Sequence, residues 1–272
     1  IHVYHIDDVE LEERHGEMRL VSSINSALDE GRMELWQQSI SHVDHLNTVQ
    51  DKGNSYFELL LRMRDRDGTL ISPDNFLPSA ERYDLATRID RWVLDAVFNW
   101  FRKYPDKLEE IGFCSVNLSG QSLGNEKFLQ EIVDQFRLSK LPAEKFCFEI
   151  TETAAILNLN NASQFIKTLK KLGCSFALDD FGSGLSSFAY LKSLPVDYVK
   201  IDGFFVKDIV NDPVDLAMVK AINDMAHAMG KQTIAEFVED KEILEKLVAL
   251  GVDYVQGFGI AKPMPLINEQ TR

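Results

Sequence analysis

Apolar positions along the chain recur at two spacings, and the spacing switches in a regular order. Residues 1–17 (IHVYHIDDVELEERHGE) are polar and read as an entry segment. After it, Met18, Leu20, Val21, Ile24, Ala27 and Leu28 recur at roughly three- and four-residue steps, which predicts a helix stopped by Asp29-Glu30-Gly31. MELWQQSI (33–40) and SYFELLLRM (55–63) read as strands on either side of a polar turn at Asp51-Lys52-Gly53-Asn54. Ser72-Pro73 precedes a helix over about 74–84, and a longer one covers about 86–103.

The second half alternates between the two patterns. Strand-like runs lie at 113–118, 145–151, 174–180, 196–202, 231–238 and 252–258. Helical stretches fall between them, near 126–137, 161–172, 186–192, 213–229 and 240–249. Continuously apolar strands alternating with helices mean parallel strands covered by helices, an α/β fold. Eight strands favour a closed barrel over an open sheet. With no repeat and no Pro- or Gly-rich linker, residues 18–272 read as one domain behind the entry segment.

Against this apolar background, a set of polar residues stands late in the strands: Glu58, Asn117, Glu149, Asp179, Asp180, Lys200, Glu236 and Gln256. Charges are rarely buried unless paired or bound to metal. In a parallel barrel the C-terminal strand ends converge on one face, where active sites form. Five carboxylates cannot be neutralised by Lys200 alone. Carboxylate and amide oxygens suit Mg²⁺ or Mn²⁺ better than zinc, and a pair of such ions would receive a phosphodiester. Any one of these carboxylates alone is more often a salt-bridge partner or strand-end solvating group, and Asp179-Asp180-Phe181-Gly182-Ser183-Gly184 alone is as well read as a tight turn. The joint occurrence at successive strand ends favours a site.

Charge sharpens the inference. The chain has 272 residues, with 29 basic and 43 acidic side chains and a net charge of −14. It lacks the positive field that draws in duplex nucleic acid or anionic lipid, so an anionic ligand needs local cations. Three widely spaced cysteines in apolar runs, with no zinc spacing, point to reduced core thiols and a cytoplasmic domain. No apolar run is long enough to span a bilayer, although a longer parent protein is compatible with membrane anchoring. His42 and His45 read as exposed in a loop after the first strand, and Trp36, Trp92 and Trp100 as core or groove walls.

The ordered motifs resemble the EAL-domain family of cyclic di-GMP phosphodiesterases over residues 18–268. They are Glu58-Leu59-Leu60-Leu61-Arg62, Asn117-Leu118-Ser119, Phe148-Glu149-Ile150-Thr151-Glu152-Thr153, Asp179-Asp180-Phe181-Gly182-Ser183-Gly184, Val199-Lys200-Ile201-Asp202, Ala235-Glu236-Phe237-Val238-Glu239 and Gln256-Gly257-Phe258. The resemblance implies a modified TIM-type (β/α)8 barrel whose first strand runs antiparallel. It implies hydrolysis of cyclic di-GMP to linear pGpG by a water activated by two metal ions, Mg²⁺ or Mn²⁺. Glu58, Asn117, Glu149 and Asp179 resemble ligands of one ion, and Asp179, Asp180 and Glu236 the surroundings of a second. Lys200, Glu236 and Gln256 match catalytic positions, with Glu236 alternatively the general base. Gln38, Leu60, Arg62 and Glu239 match the substrate groove, and Glu152 a residue that steadies the loop 180–188. A homodimer and an upstream sensory or cyclase-like domain are further implications.

The chain departs from the family pattern in places. Leu59 stands where the name motif has Ala, Ser39 where Pro usually follows Gln38, and Phe237 where Gly usually follows the glutamate. Ser183 and Leu185 stand where Thr and Tyr are common. None removes a metal or catalytic group. An inactive cyclic di-GMP receptor is the alternative, and a metal phosphodiesterase with another substrate is the third reading.

Overall fold

The computed structural model describes residues 6–46, 55–182 and 190–266. Helix α1 (Ile6–Glu30) starts within the expected entry segment rather than at Met18. Glu10, Leu11, Glu12, Glu13 and Arg14 are all good helix formers, and Gly16 costs only ~1 kcal/mol there. Gly31, at φ +70°, ends α1, and the Arg32 N–H reaches back to the Ala27 carbonyl at 2.9 Å.

Eight strands close a ring: β1 (Met33–His42) and β2 (Ser55–Arg64), with β4 (Ile111–Asn117), β5 (Phe146–Thr151), β6 (Ser175–Phe181), β7 (Tyr198–Ile201), β8 (Gln232–Ala235) and β9 (Tyr254–Val255). They correspond to the eight apolar runs. Two-residue strands β3 (Leu70–Ile71) and β10 (Met264–Pro265) extend β2 and β1 outside the ring. They are too short to leave a periodic signal. Strand β1 is antiparallel to both β2 and β9, while the pairings from β2 and β4 round to β9 are parallel. The chain is thus a mixed (β/α)8 barrel with one reversed strand.

Helices α2 (Leu77–Arg82), α3 (Ala86–Lys103), α4 (Pro105–Glu110), α5 (Gly120–Leu123), α6 (Glu126–Ser139), α7 (Glu152–Leu157), α8 (Leu159–Lys170), α9 (Gly203–Val206), α10 (Pro213–Ala228) and α11 (Lys241–Leu250) follow α1, with short 3-10 turns at Val43–His45, Pro73–Asn75 and Ala143–Lys145. The turn expected at 51–54 and most of the helix expected at 186–192 lie outside the described residues. Outward strand residues such as Leu59, Val116 and Phe148 join helix residues such as Phe98, Phe101 and Ile166 in the main core. Leu59 therefore packs on the helix side, away from the mouth. Ser39 keeps its ladder position opposite Phe57. No helix among the described residues is long and apolar enough to cross a membrane.

Inside the ring, a second cluster joins Ile40, Phe113, Cys147, Ala177, Ile234 and Tyr254, with Tyr56 and Tyr198 packed against it. This apolar plug fixes the base. His42 and His45 belong to its edge rather than to an exposed loop. Their rings lie 5.0 Å apart, and His42 meets Tyr254 edge-on at 4.8 Å. The reversal of β1 delivers its C-terminal end to the base, which is why those histidines are half-buried.

Candidate active site

The site follows from strand alternation. Side chains two residues apart share a face. One step of two from the plug reaches Glu58 from Tyr56, Glu149 from Cys147, Asp179 from Ala177, Lys200 from Tyr198, Glu236 from Ile234 and Gln256 from Tyr254. In the reversed strand the step runs backwards, from Ile40 to Gln38. Asn117 lies two such steps beyond Phe113.

Lys200 is the hub. It is 1% exposed, and its Nζ lies 2.6 Å from Glu149 Oε2, 2.9 Å from Glu236 Oε1, 3.1 Å from Asp179 Oδ1 and 3.4 Å from Glu58 Oε2. Burial favours losing the proton, but the four carboxylates outweigh it and hold the ammonium well above its ordinary pKa. Glu58 accepts from Asn117 Nδ2 at 2.6 Å and from Gln256 Nε2 at 2.7 Å. Burial pushes its carboxyl up, yet Lys200 and these amides reverse the sign and leave it below the usual range. Gln256 Nε2 also reaches Gln38 Oε1 at 3.3 Å, and Gln38 donates to the Ala261 carbonyl at 3.0 Å.

The other acids are poorly compensated. Burial pushes Glu149 up to about 8, with Lys200 offsetting part of the rise. Glu236 is raised well above its ordinary value, again first by burial. Asp180 is pushed up to about 6 by loss of solvent around its carboxyl and by the charge of Asp179. A register shift between Leu178 and Phe181, with Asp180 at φ +55°, lets two consecutive aspartates serve one site. Asp179, Asp180 and Glu236 bring one oxygen each within 4.8 Å of one another. Buried Glu149 Oε1 and Gln256 Oε1 have no hydrogen-bond partner, and Asp179 Oδ1 has only the ion pair to Lys200. Carboxylate and amide oxygens left without donors fit a hard divalent cation.

The remaining expected residues line the same face. Opposed pairs in the β1–β2 ladder put Gln38 beside Glu58, Trp36 beside Leu60 and Glu34 beside Arg62. The Arg62 guanidinium lies 5.8 Å from the Trp36 ring centroid and donates to the Leu61 carbonyl at 2.8 Å. Glu239 is exposed at the rim. Buried Glu152 accepts from the Gly182 N–H at 2.9 Å and from the Tyr190 hydroxyl. It thereby grips both sides of the expected loop, whose residues 183–189 lie outside the described residues.

One support was not anticipated. Asp90 on α3 is 7% exposed and accepts from the Ser119 N–H at 2.9 Å, from Ser119 Oγ at 2.6 Å and from Ser122 Oγ at 2.6 Å. It anchors the turn that follows Asn117. Its signal was available: a carboxylate within the apolar face of a helix.

Comparison with known proteins converges on one family. A family model described as the EAL domain matches residues 21–263. Cyclic di-GMP phosphodiesterase PdeB of Shewanella oneidensis is 40% identical over 268 residues, covering 98% of this chain and 31% of the relative. Cyclic di-GMP phosphodiesterase PdeF of Escherichia coli is 35% identical over 260 residues, covering 94% and 34%. The chain thus spans about a third of the length of these relatives. Among solved structures, the PaMucR phosphodiesterase in complex with c-di-GMP superposes with a TM-score of 0.82 at 29% identity, covering 91% of this chain and 98% of that one. The FimX EAL domain from Pseudomonas aeruginosa bound to c-di-GMP gives 0.80 at 29% identity, covering 90% and 96%.

Proposed function

The chain belongs to the EAL domain family, and on that premise we propose that it hydrolyses one phosphodiester bond of cyclic di-GMP to give linear pGpG. The observation that carries this reading is Lys200, buried and ringed by four carboxylates that follow one another around the barrel. The names of PdeB and PdeF support the activity, and the c-di-GMP complexes of PaMucR and FimX support the ligand.

Glu58, Asn117, Glu149, Asp179 and Asp180 would hold two divalent cations, Mg²⁺ or Mn²⁺. Held there, such ions would supply positive charge for a phosphodiester and its leaving oxygen and lower the pKa of a bound water. The chain's own groups do the rest. Arg62, braced on Trp36, offers a planar fork of donors to a phosphate oxygen. Lys200, with its Nζ within 3.4 Å of four carboxylates, is placed to orient the attacking water as a donor. Glu236, next to that ammonium at the open end, is the carboxylate suited to accept the proton. Gln256 ties Glu58 to Gln38 and keeps the wall on which the substrate lies. Leu60 and Glu239 extend that wall, and Glu152 holds the flanks of the loop. A homodimer and an upstream sensory or cyclase-like domain complete the proposal, and the greater length of the relatives supports further domains in the parent protein.

Chromatography of cyclic di-GMP after incubation with purified protein tests the reading. Linear pGpG is expected with Mg²⁺ or Mn²⁺, none with chelator, and none from Glu58→Ala. Tight binding without ring opening would replace the enzyme with a receptor.

A further inference from the structure

Buried phenylalanines fill this core, so the exposed ones are informative. Among the described residues, the exposed ones are Phe204 (61%), Phe237 (59%) and Phe258 (60%). Each follows the end of one of three neighbouring strands, β7, β8 and β9. They stand four residues after Lys200, directly after Glu236 and two residues after Gln256. Exposed aromatics are therefore concentrated on the rim of the proposed site.

Phe237 has the most unusual position of the three. Its φ is +53°, a region that side chains rarely adopt and glycine enters freely. Its ring lies against the backbone of Gly203. A Cβ added at 203 would sit 2.1 Å from Phe237 Cδ2, so any larger residue there would displace the ring. Two unfavourable choices, a bulky residue at a left-handed φ and a bare glycine opening α9, coincide to hold one aromatic ring at the mouth. Unusual backbone conformations of this kind gather where function holds them.

Resting on the proposed hydrolysis, we propose that Phe237 is a specificity-determining residue whose ring stacks a purine base of the dinucleotide. Base–aromatic stacking is general to all bases but strongest for large fused rings. It also places binding energy away from the reacting phosphodiester. Gly203 is the seat that makes the platform possible, and Phe204 and Phe258 carry the apolar rim to either side. A second copy of the chain is the other occupant such a rim would take.

Equilibrium dialysis of cyclic di-GMP in chelator, beside steady-state kinetics with Mn²⁺, tests the platform on the full chain. Phe237→Gly removes the ring and suits the backbone, so the variant is expected to fold. Its Kd and KM for cyclic di-GMP should rise about tenfold with kcat nearly unchanged. Phe237→Trp should restore both. Cyclic di-UMP, with smaller bases, should lose less than cyclic di-GMP. An unchanged Kd, or an equal loss for both dinucleotides, overturns the proposal. So does a shift in sedimentation with unchanged Kd, which would assign the rim to a second copy. Wild-type protein that binds but does not open the ring defeats the hydrolytic reading alone, because the Kd comparison still decides the platform.

Discussion

Replacing Glu149 with Gln probes the electrostatic load that the mouth carries. Glu149 is 0% exposed, and only Oε2 has a partner. Burial, with Glu58 and Asp179 adding to it against Lys200, pushes its carboxyl from 4.5 up to about 8. At about 1.4 kcal/mol per unit, the upper limit of the load is on the order of 5 kcal/mol, softened in practice by relaxation and water entry. The folded value lies above the unfolded one. Below 4.5 both states hold the proton and the load is absent. As pH rises towards about 8 the unfolded chain ionises while the fold keeps its proton, so stability falls, and it levels off above that. The amide introduced by Glu149→Gln cannot ionise and escapes this slope. Urea unfolding in chelator should show the variant gaining about 2–4 kcal/mol on wild type between about pH 5 and pH 8.5. Turnover should nevertheless be lost. If both proteins weaken in parallel as pH rises, Glu149 does not carry the load and the reasoning fails.

Further outcomes follow from neighbouring contacts. Gly257→Ala would drive a Cβ to 2.2 Å from Val238 N and 2.3 Å from its carbonyl oxygen. Because backbone cannot swing aside, unfolding free energy should drop by about 2–4 kcal/mol in a denaturant titration. Asp90→Ala leaves the Ser119 N–H without its acceptor and the hydroxyls of Ser119 and Ser122 with only the longer 3.3 Å contacts to Ser122 Oγ and Thr87 Oγ1, and should cost about 2–3 kcal/mol in the same measurement. Burial also pushes Asp90 up to about 6. Its contribution therefore weakens as pH rises from 3.8 to about 6, and Asp90→Asn should flatten that part of the stability profile. Glu152→Ala releases the Gly182 N–H and the Tyr190 hydroxyl together. Turnover should fall at least tenfold, with the thermal midpoint shifted by only a few degrees, as read by paired kinetics and calorimetry.

Much of this was legible because the barrel uses the two simplest periodicities. Apolar runs revealed eight strands, and polar residues late in those runs marked the side chains that gather around Lys200. The reversal of β1 was not legible from periodicity, since a strand reads alike in both directions; it came through the motifs. Strands β8 and β9 are shorter than their apolar runs, and Glu236 and Gln256 lie one residue past their ends while their N–H groups still bond to the Ile201 and Ala235 carbonyls. The left-handed turns at Asp180 and Phe237 leave no compositional trace, and Phe237 actively conceals one. The start of α1 was missed because charged residues can carry a helix without an apolar stripe.

The reversed strand also gives the barrel a seam. On one side β1 meets β2 along eight residue pairs, from Met33 opposite Met63 to Ile40 opposite Tyr56. On the other it meets β9 through two, Ser41 with Val255 and His42 with Tyr254. The first joint forms between near neighbours in the chain, whereas the second must wait for almost the whole polypeptide. Circularisation thus hinges on a short stitch lying along the flank where Gln38 faces Gln256. Amide exchange at Val255 faster than at Leu61 would reveal that stitch slackening ahead of the rest, and equal protection would deny it.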